Sequence, residues 1–311
     1  MNVFRLPMYL NAGGLLPFLT MMGRPLHDGD VEIDISQLRR VLPASMVSLV
    51  AMVNLWRKQG REVRFTGIIE CPILSYLQRM DFLSSCGVDL PEAFRRNDSK
   101  GRFVPVKNVI HQTDEMASEV AGCLAPGGEE FDHPNAELFD MITYVLTEVG
   151  NNIRQHSSGT GYAAAQVHGH EGMIRMAFAD NGMGILKSFR MVEESWSMQA
   201  TDVEAIARAL KPRVSCKAGP PNEGVGLTMV SSVVSKIGGA LLVVSGTGMA
   251  KFPIGGGSSF ETFPEGSSYQ GTLVAMTFPE RAARRFTEAL KQAKDDAGIL
   301  QSGRRRATFE P

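Results

Sequence analysis

Over the opening third of the chain, the pattern of hydrophobic and polar positions predicts strands that alternate with helices. Residues 31–35 (VEIDI) show the two-residue alternation of a half-buried strand. The apolar run 43–58 has the length and pattern of a helix that ends at Gly60. A second strand-like segment, 62–67, and a second helical segment, 72–80, follow. This order predicts an α/β layer.

The pattern changes after residue 108. A predicted helix over 109–124 leads into a turn-rich span and a long helix, and then four strand-like runs begin at residue 161. These runs are GYAAAQVHGH, MIRMAFADN, ALLVVSGTG and GTLVAMTFP. A helical and irregular section, 185–236, separates the second run from the third, and a charged amphipathic helix is predicted over 280–299. The order predicts an α/β sandwich with an antiparallel sheet.

These changes of pattern predict an α/β protein of three parts. The parts are a first domain over 1–108, a second over 109–285, and a C-terminal helix with a basic tail over 286–311. A chain of 311 residues is long enough for about two domains.

One predicted helix carries a carboxylate, an amide and an imidazole side chain along a single edge. In LTEVGNNIRQHS, Glu148, Asn152 and His156 are four residues apart, so on a helix they lie one above another. The neighbouring face is apolar and consists of Leu138, Met141, Ile142, Val145, Val149 and Ile153. Taken alone, the polar edge is equally consistent with a solvated helix edge and with a binding site.

Two glycine pairs favour the binding site. ADNGMGI places Asp180 at a strand end beside Gly182 and Gly184, where glycine permits positive φ and close backbone approach. A carboxylate there can accept a hydrogen bond from an exocyclic amine. In NEGVGLTMV, Gly224 and Gly226 open an apolar helix, whose N-terminal amides can cradle a phosphate. Each pair alone is typical of a turn, but together and in this order they predict a nucleotide site.

Composition and charge narrow the class of protein. Hydrophobic residues make up 43% and charged residues 21%, as in an ordinary globular protein. With a net charge of −1, the chain has no overall positive charge that would favour binding to nucleic acid or to an anionic membrane. Four separated cysteines without a CxxC pair argue against a zinc site or a disulfide framework. The apolar stretch 41–56 is too short to span a bilayer. We therefore expect a cytoplasmic protein.

The motifs resemble those of the GHKL superfamily of ATP-binding domains, which includes gyrase, Hsp90, histidine kinases and MutL and shares the Bergerat fold. The polar helix edge resembles the N box, and the glycine pairs after Asp180 and before the apolar helix resemble the G1 and G2 boxes. GTLVAMTFP resembles the closing strand. The resemblance covers roughly residues 130–279, and Glu-x₃-Asn-x₃-His is most similar to the anti-sigma-factor serine kinases.

This resemblance implies a site for ATP and Mg²⁺. Asn152 would coordinate the Mg²⁺ ion, Asp180 would receive the adenine amine, and Glu148 would orient or deprotonate the nucleophile. The segment between the two glycine boxes would be a lid. The nucleotide would also be bound by His156, Gly182, Gly184, Lys217, Gly224, Gly226, Leu227 and Thr272. Two of these leave a second interpretation open: His156 as a cation in the last turn of the helix, and Lys217 as a solvated charge.

The first domain weakly resembles a STAS domain, the fold of anti-sigma-factor antagonists. Its strand–loop–helix–strand order matches, and LQRMDFLSSCGV is similar to a later STAS helix. The phosphoacceptor turn of the antagonists, Asp-Ser-(Ser/Thr)-Gly, is replaced by LPASM around Ser45. The resemblance therefore favours a structural or partner-docking role, with a STAS-like or sigma-factor-like protein as the partner. Homodimerisation is a further expectation, because GHKL domains commonly dimerise.

Three functions remain open from the sequence. Water as the nucleophile gives an ATPase switch, and a protein hydroxyl gives a serine kinase. The alternative from a different class is a non-catalytic, nucleotide-gated interaction module, which would not need Glu148.

Overall fold

The computed structural model describes residues 1–109, 113–130, 132–152, 157–191, 195–211, 226–264 and 266–298. The strands in these ranges are β1 (Asn2–Arg5), β2 (Tyr9–Leu10), β3 (Val31–Asp34), β4 (Arg40–Val41), β5 (Val63–Thr66), β6 (Phe103–Asn108), β7 (Gly161–His168), β8 (Met173–Asp180), β9 (Ala240–Gly246), β10 (Gly248–Phe252), β11 (Ser259–Thr262) and β12 (Tyr269–Pro279).

The helices alternate with these strands. They are α1 (Ala12–Met22), α2 (Pro43–Lys58), α3 (Leu74–Arg79), α4 (Phe82–Ser85), α5 (Thr113–Leu124), α6 (Ala136–Asn152), α7 (Ile185–Met191), α8 (Asp202–Ala209), α9 (Gly226–Lys236) and α10 (Phe286–Asp296). Short 3₁₀ helices occupy Ser195–Met198 and Glu280–Arg285. The protein is therefore of the mixed α/β class, as its sequence predicts.

A seven-stranded sheet organises the C-terminal part of the chain. Its strand order is β11-β10-β9-β12-β8-β7-β6, and every neighbouring pair is antiparallel. The four strands that alternation predicts are β7, β8, β9 and β12, so the antiparallel sheet is confirmed. The sequence pattern missed β6, β10 and β11. Two of these, β6 and β11, are edge strands, and β11 is largely exposed and shows no alternation of buried and exposed positions. Strand β6 does alternate, but it contains Pro105, a residue that argues against a strand.

The N-terminal part contains small parallel sheets, β1-β3-β5 and β2-β4. The predicted helix over 43–58 is confirmed as α2, which begins at Pro43, a residue suited to a first helical position. Helix α1 was not predicted, because glycines and Pro17 interrupt its apolar run. It forms because Asn11 caps its N-terminus by accepting from the Gly14 amide at 3.0 Å, and because its apolar side chains are buried.

The two faces of the seven-stranded sheet carry two different layers. Successive side chains of a strand point to opposite faces, so Phe178 lies in one core and Ala177 and Ala179 lie in the other. Helices α5, α6, α9 and α10 contribute to the first core. Helices α1 and α2, with the N-terminal strands, contribute to the second. We call residues 1–102, which cover this second face, the N-terminal unit.

The boundary predicted near residue 108 falls inside the region that the sheet holds together. Strand β6 lies before that boundary, yet it pairs with β7 of the large sheet. At the other end, α10 lies in the part that we assigned to a C-terminal helix with a basic tail, and it buries Phe286, Ala289 and Ala293 in the core of the second domain. Sequence periodicity finds individual elements, whereas pairing and burial across long separations decide which elements belong together.

Within the described ranges, no helix has both the length and the hydropathy needed to cross a membrane.

Candidate functional site

The polar edge of α6 meets the first residue of α9. Glu148 and Asn152 lie one turn apart near the C-terminal end of α6, and both are half-buried. A Cβ atom added at Gly226 would lie 2.6 Å from Glu148 Oε2 and 3.3 Å from Asn152 Nδ2. A side chain at this position is excluded without movement of its neighbours. The structure therefore brings together three residues that the sequence analysis placed in two separate motifs.

The N-terminus of α9 gives this contact its electrostatic character. The first amides of a helix have no intrahelical acceptor, and the helix dipole places partial positive charge at this end. Among the described residues, the Glu148 carboxylate lies closest to the position of a Cβ atom on Gly226, at the start of α9. The site can thus favour an anionic ligand at the amides of α9 while a carboxylate stands beside them.

Burial raises the pKa of Glu148 above the usual glutamate value, and the positive charge of Lys294 on α10 opposes this rise. A carboxyl group with a raised pKa is a better proton acceptor once it is ionised. The apolar face of α6 that fixes the orientation of Glu148 is confirmed, because Leu138, Met141, Ile142, Val145 and Val149 are buried. Ile153, the last predicted member of that face, lies outside the described residues.

Asp180 ends β8 as an almost completely buried carboxyl group, with 1% of the residue exposed. Burial raises its pKa to about 7, although three hydrogen bonds to the carboxylate favour ionisation. These come from the Gly182 amide at 2.8 Å, the Ser157 side chain and the Thr272 amide. Near neutral pH, the carboxyl group is therefore poised between its neutral and ionised forms.

Glycine is required at the turns around Asp180. A Cβ atom at Gly182 would lie 2.0 Å from the Ser157 carbonyl oxygen, and one at Gly271 would lie 2.0 Å from the carbonyl oxygen of Asp180. Gly271 also has φ +99° and Gly184 has φ +79°, a region that side chains disfavour. The backbone thus closes tightly around one carboxyl group, which explains the glycine spacing of this segment.

Ser157 holds the turn after β8 against the Asp180 carboxyl group. Its carbonyl oxygen accepts from the Met183 amide at 2.8 Å, and its side chain bonds to Asp180. Ser157 follows Asn152 by five residues, which span at most roughly 18 Å when fully extended. The C-terminal end of α6 and Ser157 therefore lie within roughly 18 Å of each other.

The predicted lid segment contains two packed helices in its described part. Leu186 and Phe189 of α7 pack with Ala205 of α8 in a small core of their own. Asp202 anchors α8 to the β9–β10 turn, because its carboxylate accepts from the Thr247 amide at 2.8 Å and from the Thr247 hydroxyl at 2.9 Å. Residues 185–191 and 195–211 are thus attached to the sheet.

The remaining predicted site residues have different outcomes. Thr272 contacts Asp180 through its backbone amide, and Leu227 is partly buried against the core that α6 shares with α9. Three predicted residues lie outside the described part of the chain, so their roles stay predictions. They are His156, Lys217 and Gly224.

Sequence reasoning missed several residues that build the region. Ser245 donates to the Gly271 carbonyl oxygen at 2.9 Å and accepts from the Ile185 amide at 2.9 Å. Tyr269 donates to the Asp180 carbonyl oxygen at 3.4 Å. The glycine at 271, directly before Thr272 in a strand-like run, was the available local signal. Ser245 and Tyr269 carried none, because their roles depend on strand register.

Comparison with known proteins adds nothing to this geometry: neither a protein-family model nor a curated protein matches the chain.

Proposed function

We propose that this chain is a GHKL protein that binds Mg·ATP and either hydrolyses it or transfers its γ-phosphate to a protein serine. It would act as a regulatory switch on a partner protein. The observation that carries the proposal is the meeting of Gly226, at the start of α9, with Glu148 and Asn152. The resemblance of the motifs to the N, G1 and G2 boxes supports a Bergerat fold for the C-terminal part.

Asp180 suits the adenine end of such a ligand. The buried carboxyl group already accepts backbone amides on one side, and in its ionised form it has capacity for a further donor such as an exocyclic amine. A buried acceptor of this kind discriminates strongly between bases, because a ligand without the donor leaves it unpaired. Asp180 is therefore the proposed base-reading residue.

The start of α9 and Asn152 suit the phosphate end. The free amides of α9 favour phosphate oxygens, and the Asn152 side chain offers one amide oxygen to a metal ion. Mg²⁺ is commonly held by few protein ligands together with substrate phosphates and water, and it neutralises charge on the phosphates. A single amide ligand beside the helix N-terminus fits that chemistry.

Glu148 is the proposed catalytic residue. It would orient a water molecule or a serine hydroxyl and accept its proton. Its half-buried carboxylate next to the α9 N-terminus supports this role, because a purely binding site gains nothing from a negative charge near phosphates.

The N-terminal unit is proposed to be STAS-like and to dock a partner protein. Its parallel β1-β3-β5 sheet and its buried α2 are in keeping with that family's order of elements. Ser45 is 1% exposed and donates to the Leu10 carbonyl oxygen at 3.3 Å, which favours a structural role over phosphorylation. A cytoplasmic location remains part of the proposal.

The test is to incubate the purified protein with [γ-³²P]ATP, Mg²⁺ and a panel of STAS-like proteins. Free phosphate would identify an ATPase, and label on a serine would identify a kinase. Tight ATP binding without either product would favour the non-catalytic module. Failure to bind ATP with Mg²⁺ present would contradict the proposal.

A further inference from the structure

Helix α2 of the N-terminal unit lies against the end of the sheet that carries Asp180. The sheet face beneath it is lined by small residues, Ala164, Ala177 and Ala179, which allow the helix to approach the strands closely. Side chains of α2 thereby reach the residues next to Asp180, although they lie more than a hundred positions away in the sequence.

The first connection runs through Tyr269. This residue is 1% exposed, and its hydroxyl donates to the carbonyl oxygen of Asp180 at 3.4 Å. The oxygen of the same hydroxyl accepts a hydrogen bond from the side chain of Ser48, a residue of α2 with 0% exposure. Ser48 has one hydroxyl hydrogen, for which the Ala44 carbonyl oxygen at 2.7 Å is the alternative acceptor. When that hydrogen points to Tyr269, Ser48 donates to Tyr269 while Tyr269 donates to Asp180. A continuous hydrogen-bonded chain therefore links α2 to the backbone of Asp180.

The second connection runs through Asn181, the residue after Asp180. Its side-chain amide donates to the Ala51 carbonyl oxygen of α2 at 3.3 Å. Its side-chain oxygen accepts from the Thr160 amide at 2.8 Å, so the same side chain also fixes the segment that follows the polar edge of α6. Asn181 is 7% exposed, which shields both bonds from water. A shift of α2 would move both anchors of Asp180 together.

We propose that Tyr269 and Asn181 are positioning residues through which α2 sets the nucleotide affinity of the site. A protein that binds the N-terminal unit would then regulate the site without entering it. This inference rests on the proposed function, because it concerns the affinity of the same Asp180 pocket.

Two serines of α2 provide a matched test. Ser45 and Ser48 are both buried, and each lies within hydrogen-bond distance of a backbone carbonyl oxygen, but of the two only Ser48 can bond instead to Tyr269. We expect Ser48→Ala to weaken Mg·ATP binding about three- to tenfold, as for the loss of one buried hydrogen bond. We expect Ser45→Ala to change it less than about twofold, even if both variants lose similar thermal stability.

Tyr269→Phe completes a double-mutant cycle. If the two hydroxyls act as one unit, the double variant of Ser48→Ala and Tyr269→Phe binds ATP no more weakly than Tyr269→Phe alone. Additive losses, or equal effects of Ser45→Ala and Ser48→Ala, would overturn the inference, because both results describe a general loss of packing.

A second readout separates this inference from the proposed function. Carbon-13 NMR of the nucleotide-free protein follows the titration of the Asp180 carboxyl group directly. We expect Ser48→Ala and Tyr269→Phe to raise its midpoint, since a donor dipole near the carboxylate is weakened, whereas Ser45→Ala leaves it in place. If the wild type binds no ATP but these shifts appear, the proposed ATP-binding function is contradicted, whereas the proposed link between α2 and Asp180 is supported. Unshifted midpoints in both variants overturn the coupling.

Discussion

The two ends of the candidate site differ in how they are enclosed. At the Asp180 end, a carboxyl group with 1% exposure accepts three hydrogen bonds, and the backbone carbonyl oxygen of the same residue accepts from Tyr269. At the Glu148 end, two half-buried polar side chains of one helix face the N-terminus of another. An enclosed end is suited to recognition, because its groups cannot exchange their partners for water, whereas a more open end admits a nucleophile.

Glu148→Ala tests the open end and should have the largest effect. We expect turnover of ATP to fall about 10²–10⁴-fold, the usual contribution of a positioned general base, while ATP binding persists. Steady-state kinetics and a binding titration on the same protein measure the two quantities. Asp140→Ala is the matched control, because Asp140 is an exposed acid on the same helix. Normal turnover by the variant would favour the non-catalytic module.

The pH dependence of stability tests the enclosed end. Burial raises the pKa of Asp180 to about 7 in the folded protein, from 3.8 for the free side chain. The folded state therefore holds this proton more tightly than the unfolded state. Its contribution to the free energy of unfolding is complete below about pH 4 and is lost as the pH rises to about 7, by about 4 kcal/mol at most.

A comparison of the wild type with Asp180→Asn isolates the contribution of Asp180 titration to the free energy of unfolding, because the variant has no titrating group at that position. Denaturant unfolding of both proteins between pH 4 and pH 8 measures it. Parallel pH profiles for the two proteins would show that Asp180 titrates normally, and the enclosed end would then be open to water.

Asp180→Asn should also weaken ATP binding by about 1–3 kcal/mol, because an amide can present a donor where the base presents one. Competition between ATP and GTP, measured by displacement of a fluorescent nucleotide, reads the base selectivity of both proteins. Asp34→Asn is the matched control. Asp34 also ends a strand, and its carboxylate accepts a hydrogen bond from the Ser36 amide, two residues later, at 2.9 Å. Equal competition by GTP in the wild type would refute the assignment of Asp180.

Ser245→Ala should have the smallest effect, a loss of about 1 kcal/mol in the free energy of unfolding. Its hydroxyl joins β9 to the Gly271 carbonyl oxygen and to the Ile185 amide, so its removal loosens the enclosed end. Ser231→Ala serves as the control, because among the described residues Ser231 donates within its own helix, to the Thr228 carbonyl oxygen at 2.8 Å. Chemical denaturation measures both variants, and an equal loss would argue against a special role for Ser245.

The local pattern of hydrophobic and polar residues determined individual helices and strands of this protein. The apolar run from Pro43 to Lys58 is helical along its whole predicted length, and the apolar stripe of α6 is buried as its spacing indicates. The four alternating runs are strands. Spacing also predicted Glu148, Asn152 and Asp180 as candidate site residues, because side chains four apart on a helix share an edge and glycines mark close backbone approach.

Only the tertiary structure decided which of these elements meet. Sequence patterns do not show that Gly226 lies against Glu148, that β6 joins the sheet of the second domain, or that α2 touches Tyr269 and Asn181. Periodicity reports whether a side chain is buried but not what it is buried against. That choice depends on strand register and on packing between residues far apart in the chain, where the small side chains of β7 and β8 leave room for one particular helix.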